Sequence, residues 1–259
     1  MAVKEDYPWH EIILTAFGDD IDASVANIAV EKGVRIVKTE GALLDIVHGT
    51  YVEWLFPGDV VRPEKLRKMV TCMETQDEEY PLMLSDASEA YSNISPYVDF
   101  GGTEDMSFRM FLCESVWQDI LVLGKYPSRG LAGLLVRRDI FEACNGLWNE
   151  CAGGRTQMLS MWRSLLLAGS RQGRPWLGVL RDDFTGSAQR IGWQDIAAHQ
   201  LVWHALCEHD GALLTQEEKI DIADRQRRVG IYLLEQALKE KMDLSEGIWP
   251  KYQQMLMTL

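Results

Sequence analysis

Six aspartates, Asp19, Asp20, Asp59, Asp86, Asp182 and Asp183, stand at or near the ends of short apolar segments that read as strands. Open α/β sheets bind their ligands in the turns that follow strands, so carboxylates there are placed for chemistry. Two of them converging on a bound substrate would serve as base and anchor. Taken singly, each reads first as an ordinary loop or helix-cap acid.

A second group is His199, His204 and His209, five residues apart, with Cys207 among them. Five residues advance a helix by about 500°, which leaves successive histidines about 140° apart. Histidine pairs that bind metal sit at i and i+4, so zinc is not expected here. Cys72, Cys113, Cys144, Cys151 and Cys207 are an odd set with no Cys-x-x-Cys spacing, and read as free, mostly buried thiols.

The elements that would position these groups belong to a chain of 259 residues with 47% apolar residues and nine tryptophans, enough for one large domain with a small appendage. A net charge of −13 speaks against nucleic acid and anionic lipid as partners. There is no apolar run of about 18 residues, and the first residues form no apolar signal region, so a cytoplasmic location is expected.

Tyr7 to Leu14 leads into a short strand, Ser24 to Lys32 has helical spacing, and Gly33 ends that helix before a strand at Val34 to Val37. Tyr51 to Leu55 is the next strand. A Pro57-Gly58 turn follows, then a helix from Glu64 to Met73 opened by Pro63. Pro81 to Ser85 reads as a strand, and Ser92 to Asp105 as an insertion or lid. Phe108 to Leu123 reads as one helix, Lys125 to Ile140 as a small-residue turn feeding an apolar strand, Thr156 to Ala168 as a helix and Trp176 to Arg181 as a strand. From Trp193 onward only helices are expected: Gln194 to Glu208, Gln216 to Lys241 and a short one from Trp249.

In this order the segments resemble family 2 glycosyltransferases of the GT-A fold. Tyr7-Pro8-Trp9-His10-Glu11-Ile12-Ile13 is similar to that family's "Y-P-x-x-E-I-I". Gly49-Thr50-Tyr51-Val52-Glu53-Trp54-Leu55 is similar to the strand that enters its DXD cluster, and Pro63-Glu64-Lys65-Leu66 to the "P-x-K-L" after it. Ser85-Asp86, the Pro127-Ser128 segment ending in Arg137-Arg138, Trp162 with Leu165-Leu166, and Gly186-Ser187 resemble later motifs. The resemblance covers roughly residues 7 to 190.

It implies a GT-A-like, mostly parallel α/β sheet flanked by helices over residues 1–190, with residues 191–259 as a helical extension. It also implies transfer of a sugar from a nucleotide-sugar to a glycan or other acceptor, assisted by Mn²⁺ or Mg²⁺. Asp59 would hold the metal, Asp19, Asp20, Asp59 and Asp86 would face the donor, and Asp182 or Asp183 would act as base. Several family positions differ. The DXD cluster is reduced to Phe56-Pro57-Gly58-Asp59, the early acidic pair is Ala16-Phe17, and the acceptor-base positions fall on Gln157 and Met158, neither of which takes a proton at neutral pH. A module that binds a glycan, a nucleotide or a protein without turnover is therefore the alternative, and an unrelated α/β domain a third reading. Too few residues precede Glu11 for the family's opening strand and helix, which points to a homo-oligomer or a preceding segment that supplies them.

Overall fold

The computed structural model describes residues 13–16, 23–38, 47–53, 65–74, 80–86, 97–98, 108–124, 126–127, 133–144, 158–181 and 192–259. It opens with a β-α-β unit: β1 (Ile13–Ala16), α1 (Ala23–Glu31) and β2 (Arg35–Lys38), the two strands paired in parallel. Gly33 takes φ 71° between α1 and β2, a left-handed turn that side chains resist.

A five-stranded sheet forms the centre. Its members are β3 (Tyr51–Glu53), β4 (Leu82–Asp86), β6 (Phe108–Leu112), β8 (Leu134–Arg137) and β9 (Trp176–Arg181), in the order β3-β8-β4-β9-β6. Two short strands, β5 (Tyr97–Val98) and β7 (Tyr126–Pro127), pair in parallel apart from it. β8 is antiparallel to both β3 and β4, β6 is antiparallel to β9, and only β4 and β9 pair in parallel. The expected GT-A-like, mostly parallel sheet is thus corrected: three of the four ladders of the main sheet are antiparallel. Helices also account for more of the described residues than strands do. The physical reason lies in what periodicity reports. Leu134-Leu135-Val136 is buried on both faces, and an apolar run of that kind reads the same whichever way the strand points.

Phe108 to Leu123 is a second correction. Its first five residues are strand β6, and the helix α3 occupies only Cys113–Leu123. Aromatic and long apolar side chains suit a pleated strand as well as a helix, and pairing with β9 decides between them.

The sheet carries a different apolar layer on each face. Val52, Leu82, Leu134, Val136, Leu177 and Val179 pack with α3, α4 (Arg138–Ala143) and α5 (Met158–Arg171), where Trp117, Trp162, Leu165 and Leu166 are buried. Leu135, Tyr80 and Trp176 pack on the opposite face beneath α2 (Lys65–Glu74), through Met69, Val70 and Met73. The last three helices are α6 (Trp193–His209), α7 (Gln216–Lys239) and α8 (Trp249–Thr258). Trp203, Leu214 and Ile222 from this region join the core around α3 and α5, while Ala197, Leu233, Ala237, Trp249 and Tyr252 form a cluster of their own. Among the described residues no helix is long and apolar enough to cross a membrane.

Candidate functional site

β3 and β4 are each antiparallel to β8, and β9 is parallel to β4, so β3, β4 and β9 run in one direction. Asp86 and Arg181, which end β4 and β9, are direct cross-strand partners at one end of the sheet, while Glu53 is level through Leu135 with Met83, three residues short of Asp86 and with β8 between. Of the six aspartates singled out by sequence, Asp86 stands there, at the close of β4. Asp19, Asp20, Asp59, Asp182 and Asp183 lie outside the described residues. Met158 opens α5, and Gln157 lies outside the described residues.

The end of β3 holds an ion pair that residue spacing alone did not reveal. The Lys65 ammonium at the start of α2 is wholly buried and bonds the Glu53 carboxylate at the end of β3. Lys65 stands two residues after Pro63 and Glu53 next to the buried Val52, which is all that the sequence shows of the pair. Burying both charges is tolerable because each supplies the other's counter-charge. A divalent ion of the Mn²⁺ or Mg²⁺ type needs several oxygen ligands. Glu53 bonds Lys65, Asp86 lies beyond the intervening β8, and the described residues bring no three such donors together.

The second polar centre joins the terminal helices to the rest. Asp210 follows α6 and is 8% exposed. Its carboxylate accepts from Arg163 Nε at 2.5 Å and Nη2 at 2.7 Å, from Trp117 Nε1 at 3.0 Å, and lies 2.7 Å from His209 Nδ1. Burial alone would raise its pKa, but the Arg163 and His209 hydrogen bonds, the Arg163 charge and the Trp117 bond outweigh this and hold it below the usual aspartate range. The same bond raises the Arg163 pKa.

A few residues away, the carboxyl end of α3 receives donors from α6 and α7. Trp203 Nε1 donates to the Leu121 carbonyl at 2.7 Å, and Arg225 Nη1 to those of Val122 and Leu123 at 3.0 and 3.2 Å. His199 Nε2 lies 2.8 Å from the Gly124 carbonyl. These are carbonyls that a helix end leaves without internal partners. Gly124 adopts φ 63°, and a Cβ there would meet the Trp203 ring at 2.5 Å, so glycine is required on both counts.

The three histidines occupy separate surroundings. His199 is buried, and burial lowers its pKa despite the Gly124 carbonyl. His204 faces Gln226 and Glu208, and His209 faces Asp210. Burial pushes the thiols of Cys113 and Cys207 up to about 12 and that of Cys144 to about 11, values at which thiols are poor nucleophiles near neutrality. No family model matches the chain, and no curated protein matches it either.

Proposed function

We propose that the chain binds a nucleotide-sugar at the carboxyl edge of β3, β4 and β9 and transfers the sugar to a glycan or similar acceptor, in the cytoplasm. The carrying observation is the common direction of these three strands, which sets Asp86 and Arg181 side by side at the ends of β4 and β9. Carboxyl ends of adjacent parallel strands are favoured ligand positions in open sheets, and β4 with β9 is the parallel pair of the main sheet. The ordered resemblance to family 2 glycosyltransferases supplies the substrate class. In the reaction the bond from the anomeric carbon to the diphosphate oxygen breaks, and a bond from that carbon to the acceptor oxygen forms. The acceptor's proton passes to a base, a role for which the resemblance offers Asp182 or Asp183. Arg181 is a cation suited to the leaving diphosphate.

Gln157 and Met158 at the family's base positions favour a second reading, in which the same edge binds the donor without turnover. Calorimetric titration with UDP- and GDP-sugars, with and without Mn²⁺, tests both. Saturable binding that Asp86→Asn weakens is expected, and nucleotide release in the presence of acceptor oligosaccharides marks transfer. Binding with no release selects the second reading. Absence of any nucleotide binding overturns both.

A further inference from the structure

The 24-residue helix α7 has two faces. One, through Ile222, Gln226, Gly230, Leu233 and Ala237, is buried against α3, α6 and α8. The other faces out, yet Ile220, Ile231 and Leu238 on it are 56%, 59% and 62% exposed. Spacings of eleven and seven residues place these three within about 20° of one another around the helix. The neighbouring Tyr232 is braced edge-on against Trp193 at 5.9 Å, which leaves Ile231 as the apolar centre of the face.

The charges around Ile231 follow an order. Running toward the carboxyl end, the exposed side chains are Asp224, Arg227 and Arg228, then Ile231, then Glu235 and Lys239. Reversing this row about Ile231 sets Arg227, four residues before it, against Glu235, four after it, brings Asp224 within one position of Lys239, and leaves Arg228 opposite Leu234. Two such helices laid antiparallel place Arg227 of one opposite Glu235 of the other, and Asp224 beside Lys239, twice over by symmetry. Laid parallel, they would set Arg227 on Arg227 and Glu235 on Glu235. In a chain of net charge −13, the exposed acids Asp221, Asp224 and Glu235 on this stretch are balanced by the exposed Arg227, Arg228 and Lys239. A face that is neutral and complementary to itself suits a second copy of the same chain better than an acidic or basic stranger.

We infer that α7 is a self-association surface on which two copies pair antiparallel about Ile231, over a length of about 22 Å. Within the row Arg227 bonds the Asp224 carboxylate at 2.8 Å and Arg228 Nε the Asp224 carbonyl at 3.4 Å, exposed contacts that exchange at little cost. This inference does not depend on the sugar-transfer reading.

Sedimentation equilibrium of the full chain over a wide concentration range is the test. The unaltered chain is expected to dimerise, less tightly as salt rises. Glu235→Arg and Arg227→Glu each set like charges face to face and should weaken self-association on the order of 100-fold. An equimolar mixture of the two should regain the dimer, because each then meets its opposite. Ile231→Ala should weaken the dimer without any change in circular dichroism. A chain that stays monomeric at the highest concentration, which would leave the face to some other partner, overturns the inference. So does a dimer indifferent to all three substitutions, or a mixture that fails to reassociate.

Discussion

Two ion pairs of low exposure divide the molecule into regions built on different terms. Asp210 is held by a bidentate guanidinium, an indole and a histidine, drawn from α3, α5 and α6. Glu53 and Lys65 form a carboxylate–ammonium contact at the end of β3. The first is a joint in which each donor is fixed by another helix, and a planar fork suits it. The second is a point charge set against a carboxylate, adaptable and less directional. A fold that needs a rigid seam and a responsive edge would separate the two in this way.

The sharpest way to break the comparison is at the joint. Asp210→Ala leaves the Arg163 guanidinium and the Trp117 indole without their acceptor, and a loss of about 3–5 kcal/mol in unfolding free energy is expected by urea titration. A loss under about 1 kcal/mol would show that the network only decorates a seam made by apolar packing. Lys65→Met should cost less, about 2–3 kcal/mol, because Glu53 keeps 12% exposure and regains some water. Adding Glu53→Gln should then restore most of that loss, whereas Arg163→Met added to Asp210→Ala should restore little, since Trp117 and His209 stay without their carboxylate. Equal recovery in both double variants would erase the distinction between the regions.

The two regions were also unequally legible. The terminal helices follow from apolar spacing at three and four residues, and Thr215 with Glu218 forms a capping box that fixes where α7 starts. The β-α-β unit at the start is legible for similar reasons, with Gly33 marking the end of its helix. Strand direction was not legible, because burial on both faces hides polarity in a segment such as Leu134-Leu135-Val136. The five residues Phe108–Leu112 passed for helix because their pairing partner β9 lies more than sixty positions further along the chain. In the candidate site, Asp86 could be placed at a strand end from its apolar run. The partnership of Glu53 with Lys65, and that of Arg163 with Asp210 across 47 positions, depend on tertiary approach, which no local spacing encodes.

Acid separates the regions more gently. The Asp210 pKa is lower in the folded chain than in the unfolded one, so the unfolded state binds the extra proton first as pH falls. Its stabilising contribution is complete above the ordinary aspartate range and is lost progressively as pH drops through that range toward the depressed folded value. Asp139, whose carboxylate bonds Arg174 and the Ile140 amide, shifts the same way, with burial again opposing the shift, but it lies half exposed and contributes less. Asp210→Asn should therefore flatten the fall in melting temperature between neutral and acidic pH, and Asp139→Asn should flatten it only slightly. An unchanged acid slope in Asp210→Asn would place the acid-sensitive carboxylates away from the joint.

The smallest effect tests whether the joint and the strand edge communicate. Arg225 donates to the Val122 and Leu123 carbonyls, and its guanidinium stacks 5.8 Å from the Trp203 ring centre. Arg225→Lys keeps the positive charge near the helix end but loses the fork and the flat stacking surface, so a loss of about 0.5–1 kcal/mol is expected. Arg225→Ala removes the charge as well, and about 1–2 kcal/mol should go. Arg225 belongs to the terminal helices, so both variants should bind a nucleotide-sugar as the parent chain does if the two regions are independent. Were affinity to fall in step with stability across the pair, the carboxyl end of α3 would be transmitting strain through the shared core to the sheet. The rigid seam would then be part of how the edge is held in shape.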